Sequence, residues 1–461
     1  MSIARPLPTK APSAGARPAE CIPTAAATAS GHAGRLAGAL ATLLFVIVTA
    51  FVGYRTATRL NFAGQPYAPF WGLQDFRDAI YYPVVSLLDG NNPYDTAGYM
   101  RSYPVGNTFP LYLPLTLVLH LPFGALPYRV AEAAYFLFSA ALTPLIAYLT
   151  LRFCNIKVTV GSVLGLASLI LLTYPGYFSI FLGQYTATLA LGTYSALYFS
   201  RRRVWLAALG VAISTLKPTC AVPLAVLMLA RRDIRPLLLG LLIAGAISAA
   251  VAPLLAHNAG GFAPLLASLR ENYMSFEIDQ AVHPVTSTHR IDAFSFFSRL
   301  LGQHFGTAGE LAILFGILGF SALVIWRLDR FRDETCRVLS ASLICVAVLA
   351  CTYHQTYDLL LLTLPLTAMA VAPWEPTGLV SPWLRWPLLT MLALPACNYL
   401  MSDTGLRLFA TSRRTWLAVT SLNGGALLLA WGLCLALALT IRRPGTSDPR
   451  PECGRWSETS A

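Results

Sequence analysis

Long apolar runs, divided by short clusters of charged residues, make up most of the chain. No Asp, Glu, Lys or Arg occurs at 158–200, at 236–269 or at 415–441. Uninterrupted apolar stretches of about 18 or more residues are typical of membrane-spanning helices. The pattern therefore predicts an all-α protein that crosses a membrane repeatedly. Counting the shorter apolar segments as crossings too gives about 11 to 13 transmembrane helices.

The composition and the charge distribution support a membrane setting. Hydrophobic residues make up 56% of the chain and charged residues 12%, whereas about 25% of a soluble domain is charged. The net charge of +12 is also found in nucleic-acid-binding proteins. Here, however, the excess consists of arginine clusters at the ends of apolar segments, where the positive-inside rule places them. We therefore predict a lipid bilayer, and no nucleic acid, as a partner.

Assigning the arginine clusters to the cytoplasm predicts three regions in a multi-pass protein of the inner (plasma) membrane. The N-terminal region, rich in Ala, Pro and Ser, is expected to be disordered, and the polar C-terminal region is expected to be a second cytoplasmic tail. The regions are a tail at 1–35, a multi-span domain at 36–441 with outer-side loops at about 55–108 and 257–309, and a tail at 442–461.

Two short apolar segments, 204–216 and 220–230, are joined by Lys217 and Pro218. Each is shorter than the roughly 20 residues of an upright crossing, and arginine clusters flank the pair on both sides. Lys217, one of three lysines in the chain, is therefore expected within or near the outer half of the membrane. There it could bind an anionic headgroup, or its ammonium could extend towards water as a snorkelling lysine does.

This threading brings several polar residues to the outer ends of spans. Ionisable groups inside membranes are energetically costly and often functional, so their convergence predicts one outward-facing pocket. These residues are Asp75, Gln184, Lys217, His354 and Asp358.

Each of these residues also has a structural interpretation. Asp75 could be a general base whose pKa is raised by aromatic surroundings, sharing a helix face with Asp78, or a carboxylate that pairs with Arg77. His354 and Asp358 could share a proton on one helix face or form a polar turn. Gln184 could be an interfacial amide beside a packing glycine. No further His or Cys has ligand spacing near His354, so no metal site is predicted.

Taken in order, the motifs resemble bacterial glycosyltransferase family 87, which includes polyprenol-phosphate-mannose-dependent α-mannosyltransferases. The resemblance extends from about Gly53 to Pro365. It rests on Asp75-Phe76, Gly90-Asn91-Asn92-Pro93-Tyr94, Phe109-Pro110-Leu111-Tyr112-Leu113-Pro114, Gly183-Gln184, Leu216-Lys217-Pro218, Arg231-Arg232 and Tyr357-Asp358.

The resemblance implies a GT-C-type fold with its active site at the outer membrane face. It also implies a polyprenyl-phosphate sugar donor, with mannose as the expected sugar, a glycolipid or polysaccharide acceptor, inversion at the transferred sugar, and no cofactor. Asp75 would be the catalytic base, Lys217 would bind the donor phosphate, and His354 would be a second catalytic contact. The expected substrate-binding residues are Gln184, Tyr357, Asp358, Asp78 and Tyr94.

Two other classes of protein share some of these features. A secondary transporter or lipid flippase also has many spans, short half-helices and intramembrane polar residues, but it is expected to have an internal repeat, and none is clear here. A non-catalytic assembly protein for envelope polysaccharides would not require Asp75, Lys217 and His354 to converge.

Overall fold

The computed structural model describes residues 25–60, 72–278, 282–331, 333–372 and 382–441. Within these ranges the chain is helical, and pairing of extended backbone is limited to two isolated bridges. The predicted C-terminal tail and residues 1–24 of the predicted N-terminal tail lie outside the described residues.

Twenty-one α-helices are distinguished in the described ranges. A π-helical turn at Arg77–Tyr81 joins α2 to α3, and 3₁₀ turns at Thr356–Leu362 and Tyr399–Met401 precede α18 and α20. The α-helices are α1 (Ala25–Ala57), α2 (Gln74–Phe76), α3 (Tyr82–Leu88), α4 (Thr96–Ser102), α5 (Leu115–Leu119), α6 (Leu121–Gly124), α7 (Tyr128–Phe153), α8 (Val160–Leu172), α9 (Tyr174–Leu182), α10 (Thr186–Phe199), α11 (Val204–Ser214), α12 (Pro218–Ala230), α13 (Ile234–Asn258), α14 (Phe262–Ile278), α15 (Ala293–Leu301), α16 (Gly306–Asp329), α17 (Glu334–Cys351), α18 (Thr363–Val371), α19 (Pro382–Cys397), α20 (Asp403–Phe409) and α21 (Arg413–Thr440).

The fold confirms the predicted all-α, multi-span membrane protein. By length and composition, six helices in the described ranges could cross a membrane, and a bent pair could form a seventh crossing. The prediction of about 11 to 13 crossings also counted shorter apolar segments, which form helices of 10–17 residues. The six long segments are Gly34–Ala57, Tyr128–Phe153, Ile234–Asn258, Gly306–Asp329, Glu334–Cys351 and Arg413–Thr440.

The first long helix starts earlier than the sequence pattern predicts. α1 begins at Ala25, so the last eleven residues of the predicted tail at 1–35 are already helical. Alanine has the highest intrinsic helix propensity, and this stretch is rich in alanine. The helix therefore extends on the N-terminal side of Arg35, although the apolar run begins only after that residue.

The bent pair consists of α8 and α9, which meet at an angle of 77°. Thr173 between them is extended, and its hydroxyl caps α9 by accepting a hydrogen bond from the Gly176 amide. A Cβ on Gly176 would lie 1.9 Å from the Ile170 carbonyl oxygen, so glycine allows the close approach. The Tyr174-Pro175-Gly176-Tyr177 stretch is therefore the first turn of a helix.

The centre of the bundle is α17. Its residues from Val338 to Cys351 are all buried, and α12, α16, α18 and α21 pack around it. A helix that is apolar on every side and surrounded by other helices is typical of a buried core element. The 3₁₀ turn that follows α17 is thereby fixed at one end of the core.

The two short helices α11 and α12 form the predicted hairpin. Lys217 between them has extended backbone, as expected for a residue that precedes proline, and Pro218 begins α12. The opposite end of the hairpin carries an ion network. There Arg231 donates from Nε to Asp233 (2.6 Å), and Arg201 contacts both Asp233 and Asp329.

The two predicted outer loops contain much regular structure. The first holds the short helices α2 to α4, and residues 109–123, which follow it, form α5 and most of α6 with an irregular lead-in. The second loop holds α14 and α15. These elements frame the end of the bundle where α1 finishes, hereafter the site end.

Candidate functional site

Asp75 lies on the three-residue helix α2 and is partly exposed. Its carboxylate accepts a hydrogen bond from Gln184 Nε2 at 2.6 Å. Leu73, immediately before α2, has a φ of 53° and donates its amide to the Phe181 carbonyl at 2.7 Å. The end of α9 therefore holds both the backbone and the side chain of this segment.

Gly183 makes this contact possible. It ends α9 with a φ of 72°, in the left-handed region that favours glycine. A Cβ there would lie 2.6 Å from Phe76 Cβ. The Gly183-Gln184 pair thus combines a turn, a close approach to α2 and the amide that binds Asp75.

The protein around Asp75 changes its acidity. Burial raises the pKa of Asp75 to about 7, and the charge of Asp78 raises it further, while the hydrogen bond from Gln184 and the charge of Lys217 lower it. A carboxyl group whose pKa lies near neutrality can exchange a proton at working pH. Asp75 therefore has the acidity expected of a general base.

Lys217 forms a buried ion pair with Asp358. The same carboxylate oxygen accepts hydrogen bonds from His354 Nδ1 at 3.0 Å and from the Gln355 backbone amide at 3.0 Å. The Lys217 Nζ lies 5.2 Å from the centroid of the Tyr357 ring. The sequence therefore identified four residues that the fold places together, Lys217, His354, Tyr357 and Asp358.

His354 and Asp358 meet, although not on a helix. His354 belongs to an extended segment, and the 3₁₀ turn starts after it at Thr356. Because Asp358 accepts from Nδ1, the other ring nitrogen, Nε2, is directed elsewhere. His354 Nε2 and Asp358 Oδ1 are buried and have no hydrogen-bond partner among the described residues.

A segment of the second loop holds this turn, and sequence reasoning missed it. Ile291 donates its amide to the His354 carbonyl at 3.0 Å, and Thr356 donates to the His289 carbonyl at 2.9 Å. Next to this bridge, Arg290 pairs with Asp292 at 2.6 Å and stacks against the Tyr353 ring. The Arg-x-Asp spacing within a loop was the available signal.

Two tyrosines interact with both Asp75 and the Lys217 group. Tyr112 and Tyr357 each interact electrostatically with both Asp75 and Asp358, and Asp75 interacts with Lys217. The Tyr112 ring also packs edge-to-face on Tyr185, with centroids 5.2 Å apart. The two halves of the site therefore belong to one cluster at the site end.

Asp78 and Tyr94 have structural partners. Asp78 pairs with Arg77 at 2.7 Å and accepts the amides of Gly106 and Asn107. It lies in the π-helical turn, and its partners differ from those of Asp75. Tyr94 donates its hydroxyl to the Tyr112 carbonyl at 2.6 Å. Both residues therefore support the segments that carry Asp75 and Tyr112.

Metal binding has no support in the described ranges. No group of three His, Cys, Asp or Glu side chains there could hold a metal ion.

The fold and the site define a multi-span helical membrane protein with a polar, carboxylate-containing cluster at one end of its bundle. The model of glycosyltransferase family 87 matches residues 111–354, more than half of the chain. The chain therefore belongs to glycosyltransferase family 87 and is a membrane glycosyltransferase. The matched range includes Gln184, Lys217 and His354, while Asp75 lies before it and Asp358 after it. No curated protein matches the chain.

Proposed function

We propose that the protein transfers a sugar, mannose in the first instance, from a polyprenyl-phosphate donor to a glycolipid or polysaccharide acceptor. The reaction takes place at the outer face of the inner membrane. The observation that carries the proposal is the arrangement of Asp75, a partly exposed carboxyl group with a pKa of about 7, in the same cluster as Lys217 and His354.

Asp75 is the base in this mechanism. It accepts the proton of the acceptor hydroxyl while that oxygen bonds to the anomeric carbon of the sugar. The bond between the anomeric carbon and the phosphate oxygen breaks on the opposite face, so the configuration inverts. The bonding pair leaves with the polyprenyl phosphate. Gln184 holds the carboxylate in position through its 2.6 Å hydrogen bond.

The Lys217 group binds the departing phosphate. Asp358 holds both the Lys217 ammonium and the His354 ring, which fixes their geometry before substrate arrives. His354 Nε2 has no partner among the described residues and is assigned to a phosphate oxygen, to which it donates in the imidazolium form of the ring, where both nitrogens are donors. Preorganised polar groups in a water-poor site stabilise the negative charge that develops on a leaving group.

The direct test is sugar transfer by the purified full-length protein in detergent. Radiolabelled polyprenyl-phosphate-mannose is supplied with a membrane glycolipid extract. Asp75→Asn is expected to lower transfer at least about a hundredfold, because an amide cannot accept the proton. Glu271→Gln, which changes an exposed carboxylate on α14, serves as the matched control and should retain wild-type transfer.

Equal transfer by wild type and Asp75→Asn would remove Asp75 from the mechanism. If the folded wild type transfers no sugar from mannose-, glucose- or arabinose-bearing polyprenyl phosphates, the proposed donor class is wrong. Transport and flippase assays would then follow.

A further inference from the structure

A polar cavity lies apart from the Asp75 cluster, between the first loop, the end of α13 and the side of α14. Its volume is about 180 Å³. A water molecule occupies about 30 Å³ in the liquid, so the space is several waters large. Its lining includes Ser86, Asn91, Asn92, Ser102, Tyr103 and Asn258, and its one charged member in the described ranges is the Asp95 carboxylate.

The lining suits a neutral, hydroxyl-rich ligand. Hydroxyl and amide side chains both donate and accept hydrogen bonds, as sugar hydroxyls do. None of the described lining residues is Lys or Arg, so a phosphate or carboxylate would find no cation there. The polar character of the walls also disfavours a lipid tail.

Asn92 supplies a second, independent observation. Its side chain is 8% exposed, and Oδ1 accepts the Tyr94 amide at 3.1 Å, which fixes the orientation of the amide group. Nδ2 is buried and has no hydrogen-bond partner among the described residues. Buried donors in native proteins are nearly always paired, so an unpaired amide on a residue that lines the cavity points to a missing partner.

One helical stretch carries both Asp75 and a residue that lines the cavity. Residues 74–88 form one helical stretch that includes the π turn, with Asp75 near its start and Ser86 near its end. Eleven residues at 1.5 Å each separate them by about 16 Å. Tyr99, which also lines the cavity, donates its hydroxyl to the Asp78 carbonyl at 2.7 Å. Several linked sugar units cover such a distance, whereas one monosaccharide does not.

We propose that this cavity binds a sugar unit of an oligosaccharide acceptor, several units away from the hydroxyl that reacts at Asp75. The assignment as an acceptor subsite rests on the proposed glycosyltransfer. It narrows the acceptor to a glycan chain, because a simple lipid alcohol would not reach the cavity.

Direct binding tests the cavity without requiring transfer. Saturation-transfer NMR on the full-length protein in detergent is carried out with linear tetrasaccharides of mannose, glucose and galactose. Asn92→Ala removes the unpaired amide, and Ser102→Trp places an indole at the mouth of the cavity. Gln303→Ala, an exposed amide elsewhere at the site end, is the matched control, and Asp75→Asn tests independence from the catalytic base.

At least one tetrasaccharide is expected to bind wild type, Gln303→Ala and Asp75→Asn alike. Its dissociation constant should rise at least fivefold in Asn92→Ala, and binding should be lost in Ser102→Trp. The proposal is overturned if no tetrasaccharide binds wild type, or if both cavity variants bind like wild type. A failure of the transfer assay with this binding intact would contradict the reaction assigned to Asp75 and leave the sugar site in place.

Discussion

At the scale of single residues, Asp75 is subject to opposing influences. Burial and the nearby Asp78 raise its pKa, whereas the hydrogen bond from Gln184 and the charge of Lys217 lower it. Together these influences place the pKa of Asp75 at about 7. The carboxylate is therefore present at neutral pH and basic enough to accept a proton. An exposed aspartate, whose pKa is about 4, is a much weaker base.

This balance predicts the pH dependence of transfer. In the proposed mechanism the active form of Asp75 is the carboxylate, so kcat/KM should fall about tenfold per pH unit below pH 7 and level off above it. Gln184→Ala removes a hydrogen bond that lowers the pKa, so the acidic limb should move to higher pH. Profiles of both proteins between pH 5 and 9 test this, with Gln303→Ala as the control. An acidic limb at the same position in both would show that Gln184 does not tune the base.

At the scale of elements, the junction between α9 and α10 places Gln184 against α2. Gly183 has a positive φ, and its Cα faces Phe76 so closely that a side chain has no room. A backbone turn and a packing contact therefore depend on the same residue.

Gly183→Ala should displace α2 and lower transfer at least about tenfold, because small errors in the position of a catalytic group have large effects. Gly165→Ala on α8 is the matched control, since its added Cβ meets no atom within 4 Å. Circular dichroism should give the same helix content for both variants. Wild-type transfer by folded Gly183→Ala would contradict the placement described for α2.

The Lys217–Asp358 pair joins α12 to the 3₁₀ turn after α17. Both side chains are buried, so removing one partner leaves an uncompensated charge. Such losses cost about 3–5 kcal/mol, whereas removing both charges can be nearly neutral.

We expect Lys217→Met to lower the thermal unfolding midpoint in detergent, and Lys217→Met with Asp358→Asn to recover much of the loss. Neither protein should transfer sugar, since both lack the cation that we propose binds the phosphate. A double variant as unstable as the summed single variants would mean that charge pairing contributes little here. Transfer by the double variant would remove Lys217 from phosphate binding.

At the scale of the whole molecule, the two ends of the α11–α12 hairpin carry different polar groups. The Arg201–Asp233–Arg231 network lies at one end of the α11–α12 hairpin and Lys217 at the other. Arg231 is buried and also donates to the Leu197 carbonyl at 2.8 Å. The arginines thus connect helix ends, in addition to the effect on membrane orientation that the positive-inside rule assigns to them.

The positive-inside rule predicts which end faces the cytoplasm. An impermeant maleimide should label Asn91→Cys in intact cells, and Arg202→Cys only after permeabilisation. The background replaces Cys21, Cys453 and Cys397 with serine, Cys397 being the exposed one among the described cysteines. The reverse labelling pattern would place the Asp75 cluster in the cytoplasm and rule out an outward-facing site.

The amino-acid sequence was sufficient to predict the class of fold and to single out most residues of the candidate site. Lipid-facing helices must be apolar over their whole length, so the long runs identified the spans, and rare polar residues such as Asp75, Gln184 and Lys217 stood out against them. Local signals also sufficed for the hairpin at Lys217, because a proline restricts the residue before it.

Which side chains contact each other depends on the tertiary structure. Gln184 reaches Asp75 across 109 positions and Lys217 reaches Asp358 across 141, and such contacts depend on how buried helices pack. Packing between segments also accounts for the angle between α8 and α9 and for the contact of Arg290 with Tyr353. The cavity at Asn92 likewise lies between several segments. Periodicity and composition describe one segment at a time, whereas these features arise from the surfaces of several segments together.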